Sequence, residues 1–163
     1  MSTLARMEPC AFCAIVRGEA PAAIVLETPE VVAFLDHRPV FPGHILLMPR
    51  AHVGTTSSGA PARASDLMPR AHVGTLDELP DALVAPLFTA ARRLSVAVQR
   101  ALGAGGTFVA VNNRISQSVP HLHVHVVPRR AKDGLRGFFW PRQRYESDAA
   151  LAATQSAIRA ALT

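Results

Sequence analysis

Three histidines alternate with aliphatic residues in the segment His-Leu-His-Val-His-Val-Val, which spans residues 121–127. Alternate side chains of a β-strand share one face, so the spacing predicts a strand with His121, His123 and His125 on one face and aliphatic side chains on the other. A neutral imidazole is a nucleophile and a proton carrier near pH 7. The histidine face is therefore predicted to perform chemistry while the aliphatic face packs on a core. The alternative is a surface strand with incidental histidines.

The chain contains two cysteines, Cys10 and Cys13. Their Cys-x-x-Cys spacing is typical of a metal site or a redox-active dithiol. A thioredoxin-like dithiol lies between a strand and a helix, whereas this motif precedes every predicted strand. We therefore favour metal binding, for which a tetrahedral set needs two further ligands.

The chain of 163 residues carries 17 Lys and Arg against 12 Asp and Glu, a formal net charge of +5. Many of the basic residues fall in residues 129–144, and such a field attracts nucleotides or nucleic acids, although a solvated surface explains it equally well. No aromatic-interleaved basic signature of an RNA-binding module is present. No apolar run is long enough to span a membrane, and residues 1–8 lack the apolar core of a signal peptide. We therefore expect a cytoplasmic protein with no membrane partner and no nucleic-acid partner.

Hydrophobic periodicity and turn residues predict an α+β fold, in which one long helix covers an antiparallel sheet of about five strands. The predicted strands are residues 24–27, 31–36, 44–48, 107–112 and 121–127, and the predicted helices are residues 10–18, 77–102 and 148–162. Pro86 is expected to kink or divide the long helix, which ends at the glycines that begin with Gly103. Ser147 or Asp148 is expected to cap the C-terminal helix.

Residues 47–55 and residues 67–75 are identical, both reading Leu-Met-Pro-Arg-Ala-His-Val-Gly-Thr. The intervening residues 56–66 are rich in Ser, Ala, Pro and Gly, a composition typical of a flexible linker. Only two copies occur and neither contains a full structural unit, so the pattern is not that of a repeat protein. We interpret residues 56–75 as a duplicated loop insert within a single domain that spans residues 1–163.

Several segments around these residues resemble the histidine triad (HIT) superfamily, in particular its zinc-containing bacterial members. The matching segments are residues 10–21, 33–36, 42–52 and 117–127. Most of residues 10–130 is covered, apart from the insert. The resemblance implies a HIT-like fold and a homodimer with one site per subunit.

The resemblance implies a reaction at the α-phosphorus of a purine nucleotide, either hydrolysis or transfer of a nucleoside monophosphate. His123 matches the family's nucleophile, which forms a covalent nucleotidyl-histidine intermediate. His125 is assigned to the phosphate and the leaving group, and His44 and His121 complete the catalytic set. Members that transfer nucleotides to sugar phosphates typically have glutamine at the third position. His125 therefore favours a hydrolase of nucleoside phosphoramidates or dinucleoside polyphosphates, with phosphorolysis also compatible.

Substrate-binding residues also follow from the resemblance. Asp36 matches the residue that binds the ribose hydroxyls, and Phe34 and His37 are expected to border the base. The full expected set is Phe34, Asp36, His37, Asn112, Asn113, Gln117, Ser118 and Val119.

The connection before the triad departs from the commonest family pattern, because it is shorter and contains no glycine. Asn112 and Asn113 therefore remain alternatives for binding ribose or phosphate. Gln117, Ser118 and the backbone amides beside them are expected to contact phosphate oxygens and the leaving group. Arg114 is a further candidate phosphate contact.

A structural Zn²⁺ ion is implied by the same resemblance. Its ligands would be Cys10, Cys13, His121 and either His52 or His72, because the duplication makes the remaining histidine ambiguous. We favour His52, which continues directly from the predicted strand before it. A closed Cys₂His₂ set leaves no open position for catalysis. The alternative is two free cysteines and no metal.

A second function from another class is a nucleotide-associated or nucleic-acid-associated binding module with incidental catalysis. The insert lies beside the nucleotide-binding half of the chain, where it would weaken turnover. Loss of turnover in His123→Ala with nucleotide binding retained would indicate an enzyme.

Overall fold

The computed structural model describes residues 10–50, 73–135 and 144–162. The chain divides into two compact units, Met1–Ala131 and Lys132–Thr163. The first unit contains α1 Ala11–Val16, β1 Ile24–Glu27, β2 Val31–Leu35, β3 Ile45–Pro49, a 3₁₀ turn Leu76–Glu78, α2 Asp81–Leu102, β4 Gly106–Val111 and β5 Val124–Arg129. The second unit contains α3 Asp148–Ala161.

The five strands form one sheet in the order β1-β2-β3-β5-β4, and every neighbouring pair is antiparallel. The predicted α+β class, with about five antiparallel strands and one long helix, is confirmed. Because β5 lies between β3 and β4, the last strand of the sheet in sequence occupies an interior position. Residues next to β5 can therefore meet residues from both halves of the unit.

Both faces of the sheet are covered in its central strands. On one face, α2 packs its buried side on the main core, whose helix residues are Leu83, Leu87, Ala90, Ala91, Leu94 and Val98. On the other face, a smaller cluster joins β2 and β3 to α1, and its buried members are Val32, Phe34, Leu46 and Met48. Four consecutive residues of β2 and all of β3 are buried for this reason. This second face is the one that carries the histidines.

The long helix differs from its prediction at the start. The predicted first residues form a 3₁₀ turn, Leu76–Glu78, and α2 begins at Asp81 after Pro80. Pro86 does not divide the helix, which continues without interruption to Leu102. It removes only one backbone donor near the N-terminus, and the buried apolar face holds the helix together. Gly103 ends the helix with a left-handed φ of 58°, as predicted.

The strand predicted for residues 121–127 is wrong in its boundaries, because β5 spans Val124–Arg129. His121 and His123 therefore precede the strand. The backbone here bonds outside the ladder, since Leu122 donates to Val73 O at 2.8 Å. The predicted alternation survives, because Leu122 and Val124 are fully buried in the main core.

In the second unit, the Ser147 side chain accepts a hydrogen bond from Ala150 N at 3.1 Å and caps α3. Among the described residues, no helix is both long enough and apolar enough to cross a membrane. Most of the duplicated segment, residues 51–72, lies outside the described residues. The interpretation of residues 56–75 as an insert therefore stays a prediction. The single-domain interpretation, the homodimer and the cytoplasmic location also stay predictions.

Leu87→Ala is expected to lower the free energy of unfolding by about 2–5 kcal/mol, because the side chain is fully buried between α2 and the sheet. Val96→Ala is the matched control in the same helix, since that residue is 42% exposed and its truncation should cost less than about 1 kcal/mol. Urea unfolding of both variants measures the difference. Equal losses would contradict the packing described.

Candidate functional site

The backbone fixes the proton of His123, which is buried immediately before β5. His123 Nδ1 lies 2.7 Å from the carbonyl oxygen of His121. A carbonyl only accepts, so Nδ1 carries the proton and Nε2 keeps its lone pair. The ring is thus oriented with a nucleophilic nitrogen directed away from its anchor.

His44 and His125 form a hydrogen-bonded pair. The amide of Val40 donates to His44 Nδ1 at 3.3 Å, and His44 Nε2 lies 3.0 Å from His125 Nδ1. Because an amide only donates, His44 holds its proton on Nε2, and this N–H donates a hydrogen bond to His125 Nδ1. His125 must then carry its own proton on Nε2. That buried nitrogen has no hydrogen-bond partner among the described residues, so its donor capacity is unused.

Burial keeps this pair neutral near pH 7. Burial and, to a smaller extent, positive charge on His123 and His44 together lower the pKa of His125 to about 4. Burial also lowers the pKa of His44, although the Asp36 carboxylate opposes the shift. Asp36 Oδ2 lies 3.4 Å from His44 Nδ1. The pair therefore offers a neutral N–H to a ligand.

Ring contacts place these histidines in a row. The centroids of His44 and His125 lie 5.2 Å apart, and those of His125 and His123 lie 4.8 Å apart. Three of the four histidines predicted to be catalytic therefore form a contiguous row, with His125 in the middle. The fourth, His121, contributes its carbonyl to His123 and turns its ring towards the cysteines.

His121 lies beside Cys10 and Cys13, although they are 111 and 108 residues away from it in the sequence. His121 Nδ1 lies 3.6 Å from Cys10 Sγ and 3.5 Å from Cys13 Sγ. Tetrahedral zinc with Zn–S near 2.3 Å and Zn–N near 2.1 Å needs S···N separations of about 3.6 Å. The donor atoms all lie within 4.8 Å of one another, so the residues present fit a Zn²⁺ ion. The predicted fourth ligand, His52 or His72, lies outside the described residues.

The two thiols lie close enough together to influence each other's ionisation. Burial, a hydrogen bond with Cys10 and charge repulsion from Cys10 together raise the pKa of the Cys13 thiol to about 11, while Arg17 opposes the shift. Two neighbouring thiolates are costly without a cation between them, and a divalent cation reverses that cost.

Phe12, which the sequence analysis missed, forms a wall of the site. Its ring packs edge-on against Phe34, His121 and His123, with centroid distances of 5.7, 5.9 and 5.3 Å. Phe12 lies between the two cysteines on α1. The available signal was the apolar face of that short helix, where Phe12, Ile15 and Val16 recur at helical spacing.

The residues expected at the nucleotide lie beside β2 and differ in exposure. Phe34 is buried in the second-face cluster. Asp36 Oδ1 accepts a hydrogen bond from Arg38 N at 2.9 Å, which orients the carboxylate. The His37 side chain is 88% exposed, with Nδ1 3.9 Å from Asp36 Oδ1. Asp36 approaches the histidine row through the 3.4 Å separation between its Oδ2 and His44 Nδ1.

The structure separates the two candidate asparagines. Asn113 Oδ1 accepts from Leu76 N at 2.9 Å, and its Nδ2 donates to Asp77 Oδ1 at 3.0 Å. Its side chain therefore braces the 3₁₀ turn. Asn112 follows β4 directly, and Val111 pairs with Val124. Asn112 is thus the asparagine whose amide is not committed to that turn.

Gln117 is also held within the protein. Its Nε2 donates to Gly74 O at 2.7 Å, and its Oε1 accepts from Arg114 N at 3.0 Å. Ser118 is exposed, and Val119 O accepts from His121 N at 2.8 Å. This connection therefore ties the histidine row to the segment that precedes α2.

Two kinds of comparison agree with this geometry. The HIT domain family matches residues 17–68 and 66–132. The chain is 30% identical over 128 residues to adenylylsulfatase HINT3 of Arabidopsis thaliana, covering 77% of this chain and 55% of that protein. It is 26% identical over 145 residues to adenosine 5'-monophosphoramidase HNT1 of Candida albicans, covering 85% and 82% of the two chains.

Solved structures show the same fold. A HIT family protein of Bacillus subtilis has a TM-score of 0.74 at 28% identity, covering 93% of this chain and 96% of its own. A zinc-bound histidine triad family protein of Mycobacterium smegmatis has a TM-score of 0.63 at 34% identity, covering 91% and 97%. With its histidine row, its Cys/His cluster and a match over most of its length, this chain belongs to the HIT domain family.

Proposed function

We propose that the protein is a nucleotide hydrolase that acts at the α-phosphorus through a covalent nucleotidyl-histidine formed on His123. The observation that carries this proposal is the 2.7 Å contact between His123 Nδ1 and the His121 carbonyl, which leaves the Nε2 lone pair available. The relatives named adenylylsulfatase and adenosine 5'-monophosphoramidase support a purine nucleotide as substrate.

In the first step, His123 Nε2 attacks the α-phosphorus, forming a P–N bond and breaking the bond to the leaving group. The leaving group departs with the electron pair of that bond. His125 Nε2–H donates a hydrogen bond to a phosphate oxygen, where negative charge develops. His44 positions His125, because its Nε2–H donates a hydrogen bond to His125 Nδ1.

In the second step, a water oxygen attacks the phosphorus and the P–N bond breaks, which returns the lone pair to His123. The proton lost by water balances the charge of the departed leaving group. The products are a nucleoside monophosphate and the free leaving group. Splitting one displacement into two lowers each barrier.

The remaining contacts of the substrate follow from the placement of residues along the sheet. Asp36 would bind the ribose hydroxyls, with Phe34, His37 and the missed Phe12 bordering the base. Asn112 would bind ribose or phosphate. Gln117 would act by holding the connection before the triad, with Ser118 and the amide of Val119 nearest to the phosphate oxygens.

Zinc would be held by Cys10, Cys13, His121 Nδ1 and one histidine from the duplicated segment, His52 or His72. When bound, it supplies a structural cross-link and lowers the cost of two adjacent thiolates. The zinc-bound relative from Mycobacterium smegmatis supports this assignment. Because His121 also anchors His123, the metal site would stiffen the nucleophile's support.

His123→Ala is expected to lower turnover of adenosine phosphoramidate and diadenosine tetraphosphate by about 10³-fold or more, because the nucleophile is removed. Nucleotide binding should be retained. Mass spectra of quenched wild-type protein should show the added mass of one adenylyl group, absent from the variant. Undiminished turnover in the variant would exclude His123 as the nucleophile. Nucleotide binding without turnover or adduct in the wild type would favour the binding module.

Stability is expected to fall on acidification from about pH 6.5 to about pH 4. In the unfolded chain His125 takes up a proton at its ordinary pKa of 6.5. In the folded protein His125 stays neutral until about pH 4, so protonation favours the unfolded chain between these values. Urea unfolding at pH 7 and pH 5 should therefore show a smaller difference for His125→Gln than for the wild type. His37→Gln, which alters a side chain that is 88% exposed, is the control and should keep the wild-type difference. If His125→Gln kept the wild-type difference between pH 7 and pH 5, the lowered pKa of His125 would not be the cause of that difference.

Metal analysis of the purified protein is expected to find about one Zn²⁺ per chain, because the donor set is closed. Cys13→Ser should lose the metal and lower Tm by at least about 5 °C. A chelator should lower Tm of the wild type and leave that of the variant unchanged. Full metal content in Cys13→Ser would rule out this site.

A further inference from the structure

Two residues of the connection between β4 and the histidine row hold a backbone conformation that favours glycine. Arg114 has a φ of 68° and Ser116 a φ of 60°. Side chains at such angles are held by their surroundings rather than by local preference. Specific contacts therefore hold Arg114 in this backbone conformation.

Those contacts fix Arg114 at both ends. Its backbone N–H donates to Gln117 Oε1 at 3.0 Å. Its guanidinium lies 3.0 Å from Asp77 Oδ2, while the other oxygen of Asp77 accepts from Asn113. Asp77 belongs to the 3₁₀ turn before α2, so the arginine is aimed by a second segment of the chain.

The order of the strands places Arg114 across the histidine row from Asp36. Asp36 follows β2, whereas Arg114 follows β4. β3 and β5 lie between these two strands, with His125 on β5 and His123 just before it. Val111 pairs with Val124, the neighbour of His123, and Arg114 is three residues further, within about 10 Å of Val111. A nucleotide held at Asp36 would direct its leaving group towards Arg114.

The guanidinium keeps capacity for an anion. Its side chain is 66% exposed, and the pair with Asp77 is made by one terminal nitrogen. A guanidinium has five N–H donors in a planar fork that matches phosphate or sulfate oxygens. An exposed ion pair is weak, so Asp77 can position the arginine without competing strongly for it.

We propose that Arg114 determines leaving-group specificity, binding a negatively charged phosphate or sulfate group that departs when His123 becomes nucleotidylated. The inference rests on the proposed function and names its preferred substrate class: dinucleoside polyphosphates and nucleoside phosphosulfates, ahead of nucleoside phosphoramidates. In this step the P–N bond to His123 forms and the bridging P–O bond breaks. The leaving oxyanion takes the electron pair and needs no proton, and Arg114 stabilises the added charge.

The neutral state of His125 agrees with this preference. An amine leaving group needs a proton as it departs, whereas a neutral imidazole N–H provides only a hydrogen bond. A phosphate or sulfate leaves as an anion without that proton. The charge that develops on it instead meets the fixed cation of Arg114.

The test compares kcat/KM for diadenosine tetraphosphate, adenylyl sulfate and adenosine phosphoramidate. In Arg114→Ala, the ratio of either oxyanion substrate to the phosphoramidate should fall about tenfold or more, as expected for a lost charged hydrogen bond. Arg114→Gly should show the same fall, although glycine relieves the backbone, so that the side chain is identified as the cause. Arg114→Lys should be intermediate, because it keeps the charge but loses the fork. Arg93→Ala, on the exposed side of α2, should leave the ratio unchanged.

A fall with either oxyanion supports the inference, and the two arms distinguish phosphate from sulfate. An equal fall with all three substrates would show that Arg114 only braces the loop and would overturn it. An unchanged ratio would overturn it as well. If the wild type turns over none of the three, the proposed function itself fails, which differs from either of these results.

Discussion

Buried imidazoles organise this site, because each ring nitrogen removed from water needs a hydrogen-bond partner or must keep its capacity for a ligand. The carbonyl of His121 accepts a hydrogen bond from the Nδ1–H of His123. The amide of Val40 starts a chain that runs through His44 to His125. Two backbone groups thereby set which nitrogen of each ring carries the proton. The result is a lone pair on one histidine beside an N–H on its neighbour.

His121 takes part in both the Cys/His cluster and the histidine row. Its ring lies beside two thiols that are 111 and 108 residues away in the sequence, while its carbonyl anchors the neighbouring histidine. The helix α1 that carries Cys13 has six residues, too few to be stable alone. Phe12 on that helix packs against His121 and His123. A change at the thiols would therefore reach His123 through direct contacts.

The elements were predictable where burial follows a simple period. The apolar positions of the long helix, including Leu83, Leu87 and Leu94, are buried as their spacing indicates. The alternation around the triad also held, since Leu122 and Val124 enter the core. The strand boundaries failed because β5 begins only where β4 provides a partner at Val111. A ladder needs two strands, and a single segment contains no information about where its partner ends.

The sequence by itself determined the fold class, the spacing of the histidines and the Cys-x-x-Cys pair, because these depend on residue types and on distances along one segment. Only the tertiary structure decided the proton positions of His123 and His125, the brace formed by Asn113 and the wall formed by Phe12. Each of these depends on groups brought from elsewhere in the chain. Hydrogen bonds and ring contacts act over a few ångströms in space, so the strand order that creates those neighbours has to exist before the side chains can take their roles.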